Sequence, residues 1–494
     1  MPEQYKAFIV VAIIAIIVTR FIQPALTSVI SPVQLKSWRN IWLGATATAF
    51  LLPGFWPFII AVAIFLHAYA KKQESSTAAL YLLLMCAIPP YGLDLPGFGI
   101  INYFFNLNWL RLLSLILLFP AFLQITQNKQ TPRLLATWPD KLLLSFLTLT
   151  VILQLRDTTV TDTLRQAFYA FIDVFLPYFV LSRSLRSSQQ FKLAIIAFLF
   201  SATLSASLGV FEFIKHWLLY VNLTANWHIP SNGAYTNRGN SLRAYASYGG
   251  GPIVFGYGMA IALGLYAYAS SFISSKNDRR NGILVLIAGL LASLSRGPWM
   301  GALLMMLIFV ATGPNATQRI GRLLAFGLLA ILLLPIIPDG EKFIDLLPFI
   351  GHASSDSVSY REKLFQNGWL AFQRYPLFGS INVLKTPEML RMVQGQGIID
   401  LVNTYLGVAL FYGAVGVSLF ISFFVSVLIH INRARQQPFS NPEAALLGRS
   451  LLATLAGALL IIATVSNVGV IPTLYWSLAG MGMAYSFLSR YQSA

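Results

Sequence analysis

The stretch FKLAIIAFLFSATLSASLGVF, residues 191–211, carries a single charged side chain, Lys192. A helix of about 20 residues is long enough to cross the hydrocarbon core of a bilayer. The stretch lacks the alternation of apolar and polar residues that is typical of membrane β-barrel strands. It therefore predicts a transmembrane helix, in which the backbone hydrogen bonds form within the segment.

Apolar runs of the same character recur along the chain, at Ile283–Leu294, Pro298–Ala311 and Leu401–Ile429. Of the 494 residues, 56% are hydrophobic and only 10% are charged, too few to cover the surface of a water-soluble protein of this size. We predict an all-α polytopic bundle of about 12 to 15 helices. The simplest organisation is a single integral membrane domain over residues 1–494.

The net charge of +17 comes from short basic clusters between the apolar runs, which argues against a nucleic-acid partner. The clusters occupy alternate loops and are 36–39, 71–72, 129–141, 183–192, 276–280, 319–322 and 433–449. Because cytoplasmic loops are enriched in Lys and Arg, we place these clusters and the C-terminus in the cytoplasm. Residues 89–109, 217–251 and 339–400 then face the other side of the membrane, the periplasm or the exterior. The last is a large periplasmic loop, in which 360–374 has helical apolar spacing.

Several signatures of cofactor chemistry are missing from the sequence. It contains no Walker-type glycine-rich loop and no His/Cys cluster with zinc spacing, and Cys86 is its single cysteine. No predicted outer loop has an Asp-x-Asp pair that could hold a divalent cation beside a diphosphate. We expect no metal and no cofactor, so arginines would have to balance the charge of any phosphorylated lipid.

Three arginines fall at predicted turns on the outer face. Arg296 lies in Ser295-Arg296-Gly297-Pro298-Trp299 between two apolar runs, and Arg238 and Arg243 precede the glycine-rich segment 249–251. A guanidinium group suits a diphosphate because its planar fork donates two hydrogen bonds at once and keeps its charge. The competing interpretation of Arg296 is an arginine that extends to lipid headgroups from a helix end.

Acidic and polar residues near the outer ends of the apolar runs are further candidates. Asp400 and the following Asn403 and Tyr405 open the helix after the large outer loop, and Asp400 is either a helix cap or an acid/base group. Glu212 and Asp173 lie within apolar runs, where a charge is costly unless it is paired or faces a cavity. We expect both to face the interior of the bundle, with structural ion pairs as the alternative.

Taken together, these segments resemble the O-antigen ligase and polymerase superfamily of bacterial membrane glycosyltransferases, over roughly residues 160–430. The matching segments are Asp173–Tyr178, Arg243 with Pro252–Gly256, Ser293–Gly301, Tyr360–Glu362, Tyr375–Gly379, Asn403–Leu406 and Tyr412–Gly416. Each segment alone is a weak signal, and the resemblance rests on the order of the segments and their placement in the membrane.

The resemblance implies a GT-C-like fold and an inverting, metal-independent transfer of a glycan from undecaprenyl diphosphate, in a cavity open to the periplasm. Arg243 and Arg296 would bind the diphosphate and stabilise the leaving group. Arg361 is a third candidate for this role, and Arg238 could also contact the diphosphate. Asp400 would accept the proton of the acceptor hydroxyl, although Glu212 and Glu362 could also serve. Asn403 and Tyr405 belong to the motif at the site.

One position departs from the ligase pattern, because many ligases carry a histidine before the asparagine of the last motif and this chain has Val402. The form Asp-x-Val-Asn-x-Tyr, residues 400–405, is more similar to exopolysaccharide polymerases. We therefore predict a polymerase of lipid-linked repeat units. Chain-length regulators or export proteins are the expected partners.

Two rival functions stay open at this point. A ligase shares the donor chemistry and differs only in moving the glycan to a lipid core or a protein. A transporter of lipid-linked sugars would make no bond, and it predicts substrate-facing charges deep in the membrane and two similar halves. The sequence places its arginines at the outer edge and shows no internal duplication.

Overall fold

The computed structural model describes residues 1–70, 76–99, 101–129, 131–229, 235–238, 241–333, 355–394, 397–437 and 442–492. Within them the chain is almost entirely helical, which confirms the all-α prediction. The helices are Glu3–Leu26, Pro32–Leu51, Phe55–Ala70, Thr77–Leu84, Trp109–Gln127, Trp138–Asp157, Val160–Ser184, Ser188–Lys215, Val221–Asn226, Pro252–Ala269, Lys276–Ala292, Arg296–Ala311, Ala316–Leu333, Ser355–Arg374, Pro387–Leu390, Thr404–Gln436, Pro442–Ile462 and Ile471–Gln492. Two antiparallel hairpins join Gly92–Pro96 to Tyr103–Asn108 and Asn237–Arg238 to Ser241–Leu242.

In the described part of the chain, eight helices are long and apolar enough to cross a membrane. They are Glu3–Leu26, Trp109–Gln127, Trp138–Asp157, Val160–Ser184, Ser188–Lys215, the helix starting at Pro252, Thr404–Gln436 and Pro442–Ile462. Phe55–Tyr69 and Arg296–Ala311 are shorter apolar helices of the same bundle. The polytopic helical membrane fold is therefore confirmed.

The decisive stretch, 191–211, lies in the helix Ser188–Lys215 near the centre of the bundle. Ser187 caps its start by accepting the Gln190 N–H, and His216 ends it in the left-handed conformation. Neighbouring helices approach it closely at small residues, since a Cβ added to Gly289 would lie 2.8 Å from the Cβ of Ala206. Such contacts drive helix association in lipid, where burial of apolar surface gives no net gain.

Two of the basic clusters, 183–192 and 433–449, make contacts at one end of the bundle. Lys192 Nζ lies 2.9 Å from Glu443 Oε2, and Arg449 Nη2 donates to the Phe309 carbonyl at 2.6 Å. These contacts join the starts of two helices to the end of Arg296–Ala311. Arg296 therefore lies at the opposite end, as the alternation of the clusters predicts. The side of the membrane that each end faces stays a prediction.

The large loop after residue 339 is described from residue 355 onward, and residues 339–354 lie outside the described residues. It contains the predicted helix, observed at Ser355–Arg374, which buries Leu364 and Ala371. The segment that follows docks into a kink of the helix Thr404–Gln436 at Gly413, where φ is 66°. There Ala414 N–H donates to the Pro376 carbonyl at 2.8 Å and Val415 N–H to the Leu377 carbonyl at 3.1 Å.

Candidate functional site

The turn Ser293-Leu294-Ser295 joins the helices Lys276–Ala292 and Arg296–Ala311. Leu294 has a positive φ of 45°, which is unfavourable for a leucine and marks a tightly held turn. Pro298 fits the first turn of the second helix because backbone N–H groups there have no partner within the helix. The turn thus presents carbonyl and hydroxyl oxygens beside Arg296.

The short hairpin Asn237–Arg238 with Ser241–Leu242 brings two arginines to this turn. Arg238 Nη1 donates to the Leu294 carbonyl at 2.8 Å. Arg243 Nη2 donates to Ser295 Oγ at 2.9 Å, and its Nε donates to the Ser293 carbonyl at 3.3 Å. Arg238 and Arg243 therefore both donate hydrogen bonds to the turn that precedes Arg296.

A fourth arginine approaches from the large loop. Arg361, on the helix Ser355–Arg374, donates from Nη2 to the Thr464 carbonyl at 3.3 Å. Thr464 lies against the start of the Arg296 helix, since a Cβ added to Gly297 would lie 2.5 Å from its Oγ1. We call Arg238, Arg243, Arg296 and Arg361 the arginine cluster. Three separate segments of the chain contribute to it.

The positive charges of the clustered arginines lower one another's pKa values. Burial lowers the pKa of Arg238, and the charges of Arg296 and Arg361 lower it further. Burial also lowers the pKa of Arg361. The charge of Arg296 lowers this pKa further, whereas the charge of Asp400 raises it. The pKa of Arg243 falls to about 10 through burial and the charge of Arg238. These groups stay protonated at neutral pH, so an anion that binds among them relieves their repulsion.

Asp400 lies at the edge of the cluster. Its Oδ1 accepts a hydrogen bond from Ser466 Oγ, and its carbonyl oxygen accepts one from Tyr360 OH at 3.0 Å. The cap of the following helix is Asn403, whose Oδ1 accepts the Leu406 N–H at 3.1 Å. The helix-cap interpretation of Asp400 was therefore wrong, and its carboxylate faces the segment after Pro442–Ile462 instead.

The remaining candidates are Tyr405, Glu362 and Glu212. Tyr405 OH donates to the Leu459 carbonyl at 3.0 Å and joins two helices. Glu362 is exposed next to Arg361 and accepts from Gln366 Nε2 at 3.5 Å. Glu212 is fully buried and accepts three backbone N–H groups, from Leu219 at 2.9 Å, Tyr245 at 2.9 Å and Ala246 at 2.8 Å. Its carboxylate holds the loop that carries Arg243.

Replacing Glu212 by glutamine should destabilise the protein by about 2–3 kcal/mol, because one carboxylate oxygen becomes an amide that faces buried N–H donors. Thermal unfolding of the purified protein in detergent measures the change. The matched control is Glu362→Gln, the same substitution at an exposed position. Equal melting temperatures for the two variants would contradict the role of Glu212 in holding the loop.

Sequence reasoning named Ser293 only as part of a motif, and it missed Thr464 and Ser466. Ser293, Thr464 and Ser466 contact Arg243, Arg361 and Asp400 respectively. The only signal was the polar interruption Thr464-Val465-Ser466-Asn467 at the end of an apolar run. Among the described residues, no group of three His, Cys, Asp or Glu side chains could hold a metal ion.

Residues 282–421 match the model of a protein family described as O-antigen ligase. The matched region contains Arg296, Arg361 and Asp400, whereas Arg238 and Arg243 precede it. The match supports the O-antigen ligase/polymerase superfamily, which confirms the resemblance found in the sequence motifs. No curated protein sequence matches the chain.

Proposed function

We propose, from its place in the O-antigen ligase/polymerase superfamily, that this membrane protein polymerises undecaprenyl-diphosphate-linked repeat units into an exopolysaccharide or O-antigen. The family supports a membrane glycosyltransferase of ligase or polymerase type. The observation that carries the proposed donor chemistry is the arginine cluster, which gathers at the end of the bundle opposite the basic loops. This end is the periplasmic face in the proposed topology, in which the C-terminus is cytoplasmic and 339–400 is the large periplasmic loop.

The cluster has the chemistry of a diphosphate site. Guanidinium forks donate paired hydrogen bonds to phosphate oxygens, and the start of the helix Arg296–Ala311 adds the positive end of its dipole. Arg238, Arg243 and Arg361 contact uncharged carbonyl and hydroxyl oxygens, which phosphate oxygens can replace. Residues 160–430 form the proposed catalytic core. Asn403 and Tyr405 lie at the start of its last helix, Thr404–Gln436.

In the proposed reaction, a hydroxyl of the acceptor glycan attacks the anomeric carbon of the donor from the face opposite the diphosphate. Asp400 takes the hydroxyl proton as the new glycosidic bond forms. The bond from the anomeric carbon to the diphosphate breaks, and undecaprenyl diphosphate leaves with the electron pair. Arg243 and Arg296 stabilise the charge that develops on it, so the transfer inverts the anomeric configuration and needs no metal.

Ligase activity is the second candidate, because the matched family is described as O-antigen ligase. The two activities differ in the acceptor and share the donor site. The polymerase is favoured by Val402, which stands where many ligases carry a histidine.

The decisive experiment incubates the purified protein with its native undecaprenyl-diphosphate repeat unit, with and without EDTA, and separates the glycans on a gel. An EDTA-insensitive ladder supports a metal-independent polymerase. Product formed only when a lipid-core or protein acceptor is added indicates a ligase. If a substrate proven competent with another polymerase yields no glycosidic bond in either case, the enzyme proposal is overturned in favour of transport.

Asp400→Asn should lower kcat for glycan transfer by about 10²- to 10⁴-fold, the usual contribution of a general base, and leave the KM for the donor nearly unchanged. The measurement is the initial rate at varied donor concentration. The control is Asp94→Asn, which removes a carboxylate of the Gly92–Pro96 hairpin strand, where Asp94 accepts from Asn106 Nδ2 at 2.9 Å. An unchanged kcat for Asp400→Asn would exclude it as the base.

A further inference from the structure

A second polar site lies inside the bundle, apart from the arginine cluster. Helices of several segments enclose a cavity of about 400 Å³, a volume in the range of small-molecule sites. Its lining includes Arg111, Tyr169, Asp173, Tyr412, Asn467 and Trp476. The proposed function uses none of these residues.

The cavity wall contains an ion pair within two membrane-spanning helices. Arg111 Nη2 lies 2.9 Å from Asp173 Oδ2, and its Nε donates to both carboxylate oxygens at 3.1 and 3.2 Å. The Arg111 guanidinium also stacks 3.8 Å from the ring centroid of Tyr169. The side chains of Arg111 and Asp173 stay 14% and 29% exposed, so both can contact a molecule in the cavity.

The local helix geometry also marks this wall. Asp173 lies in a π-helical turn, Ala170–Phe175. A second π-helical turn, Ser114–Leu118, begins directly after the short helical segment Trp109–Leu113 that contains Arg111. Such turns interrupt the regular hydrogen-bond ladder and are frequent at functional sites. An ionisable group at membrane depth that faces a cavity is in general a functional group.

The cavity adjoins the arginine cluster through the segment 464–469. Thr464 and Ser466 contact Arg361 and Asp400, as described above, while Asn467 and Gly469 line the cavity. Asn467 Oδ1 also accepts a hydrogen bond from Tyr475 OH at 2.9 Å, which fixes the segment to the wall. A molecule that extends from the cluster past this segment would enter the cavity.

The two sites differ in charge. The cluster combines four arginines with Asp400, whereas the charged side chains in the described lining of the cavity are one arginine and one aspartate, already paired. A compensated, partly exposed ion pair suits an uncharged polyhydroxylated ligand, and the ring of Tyr412, which is partly buried and lines the cavity, suits the apolar face of a sugar ring. We propose that this cavity binds sugar residues of a lipid-linked glycan. The arginine cluster binds either the diphosphate of that same glycan or the diphosphate of the second lipid-linked substrate.

This inference rests on the proposed function and is tested separately from it by binding. The probe is the free oligosaccharide released by mild acid from the lipid-linked repeat unit, titrated calorimetrically into the purified protein. We expect saturable binding to the unmodified protein. Arg111→Gln should raise the Kd about tenfold or more, because it removes charge-assisted hydrogen bonds at the wall.

The matched control is Arg165→Gln. Arg165 also pairs with an aspartate, Asp162, and also stacks on a tyrosine, Tyr103, at 3.7 Å, but it does not line the cavity. Its variant should keep the Kd of the unmodified protein. Absence of binding to the unmodified protein, or equal Kd values for Arg111→Gln and Arg165→Gln, would overturn the inference.

A second variant guards against loss of folding in Arg111→Gln. Gln166 lines the cavity from a half-exposed position, so Gln166→Trp should fill the cavity with little change in melting temperature. It should weaken oligosaccharide binding about tenfold or more as well. Unchanged binding in a folded Gln166→Trp variant would contradict the assignment of the site.

Transfer kinetics identify which substrate supplies the sugars. A raised KM for the lipid-linked donor alone in Gln166→Trp assigns the cavity to the donor glycan, and a raised KM for the acceptor alone assigns it to the acceptor. If the oligosaccharide binds and no glycosidic bond forms under any condition, the proposed function fails and the carbohydrate site stands. If transfer proceeds and no oligosaccharide binds, only the carbohydrate site fails.

Discussion

Arg296→Ala should lower the rate of glycan transfer by about 10²- to 10³-fold, the usual effect of removing one preorganised donor to a developing anion. Arg296 follows the turn that Arg238 and Arg243 contact, and its charge depresses the pKa of both Arg238 and Arg361. Arg296 is therefore electrostatically linked to both of the other segments that contribute arginines to the cluster. The measurement is the initial rate of ladder formation at saturating donor.

The matched control is Arg280→Ala, an exposed arginine on the preceding helix at the opposite end of the bundle. It should keep the normal rate. Arg296→Lys should fall between the two, because lysine keeps the charge and loses the planar fork. Polymer formation by a well-folded Arg296→Ala variant at the normal rate would remove Arg296 from the mechanism.

Gly413→Ala should destabilise the protein by about 3 kcal/mol or more, through a left-handed residue and an overpacked contact. The φ of Gly413 is 66°, and an added Cβ would lie 2.3 Å from the carbonyl carbon and oxygen of Leu377. Neither contact can relax by moving a side chain, since both partners are backbone. The docked segment 376–380 should detach, and with it the support of the helix that carries Arg361.

Thermal unfolding and limited proteolysis between residues 355 and 400 measure this effect. Gly407→Ala is the matched control on the same helix, because a Cβ there would meet only a Leu401 side-chain carbon at 3.7 Å and Gly407 has no positive φ. Gly413→Ala should melt at a lower temperature and be cleaved faster than Gly407→Ala. Equal behaviour of the two variants would show that the kink is not needed for docking.

The same contact explains two motifs that the sequence presented only as resemblances. Tyr375–Gly379 and Tyr412–Gly416 lie more than 30 residues apart along the chain and form one hydrogen-bonded junction. Both motifs need a glycine because backbone meets backbone there, at Gly379 against Phe411 as well as at Gly413 against Leu377. Local pattern marks such positions, but it does not reveal which of them meet.

The sequence alone determined the long apolar helices and the placement of Arg296 at the end opposite the basic loops, because hydrocarbon requires long apolar segments with internal hydrogen bonds. The helix ends lie several residues from the ends of the apolar runs, as at Leu401–Ile429, where the helix is Thr404–Gln436. The tertiary structure decided which charges meet. It joined Arg243 to Ser295, Arg111 to Asp173, and Glu212 to the loop at Tyr245. These contacts depend on how the helices rotate and cross. Side-chain packing between distant segments sets that geometry, and local periodicity in the sequence does not encode it.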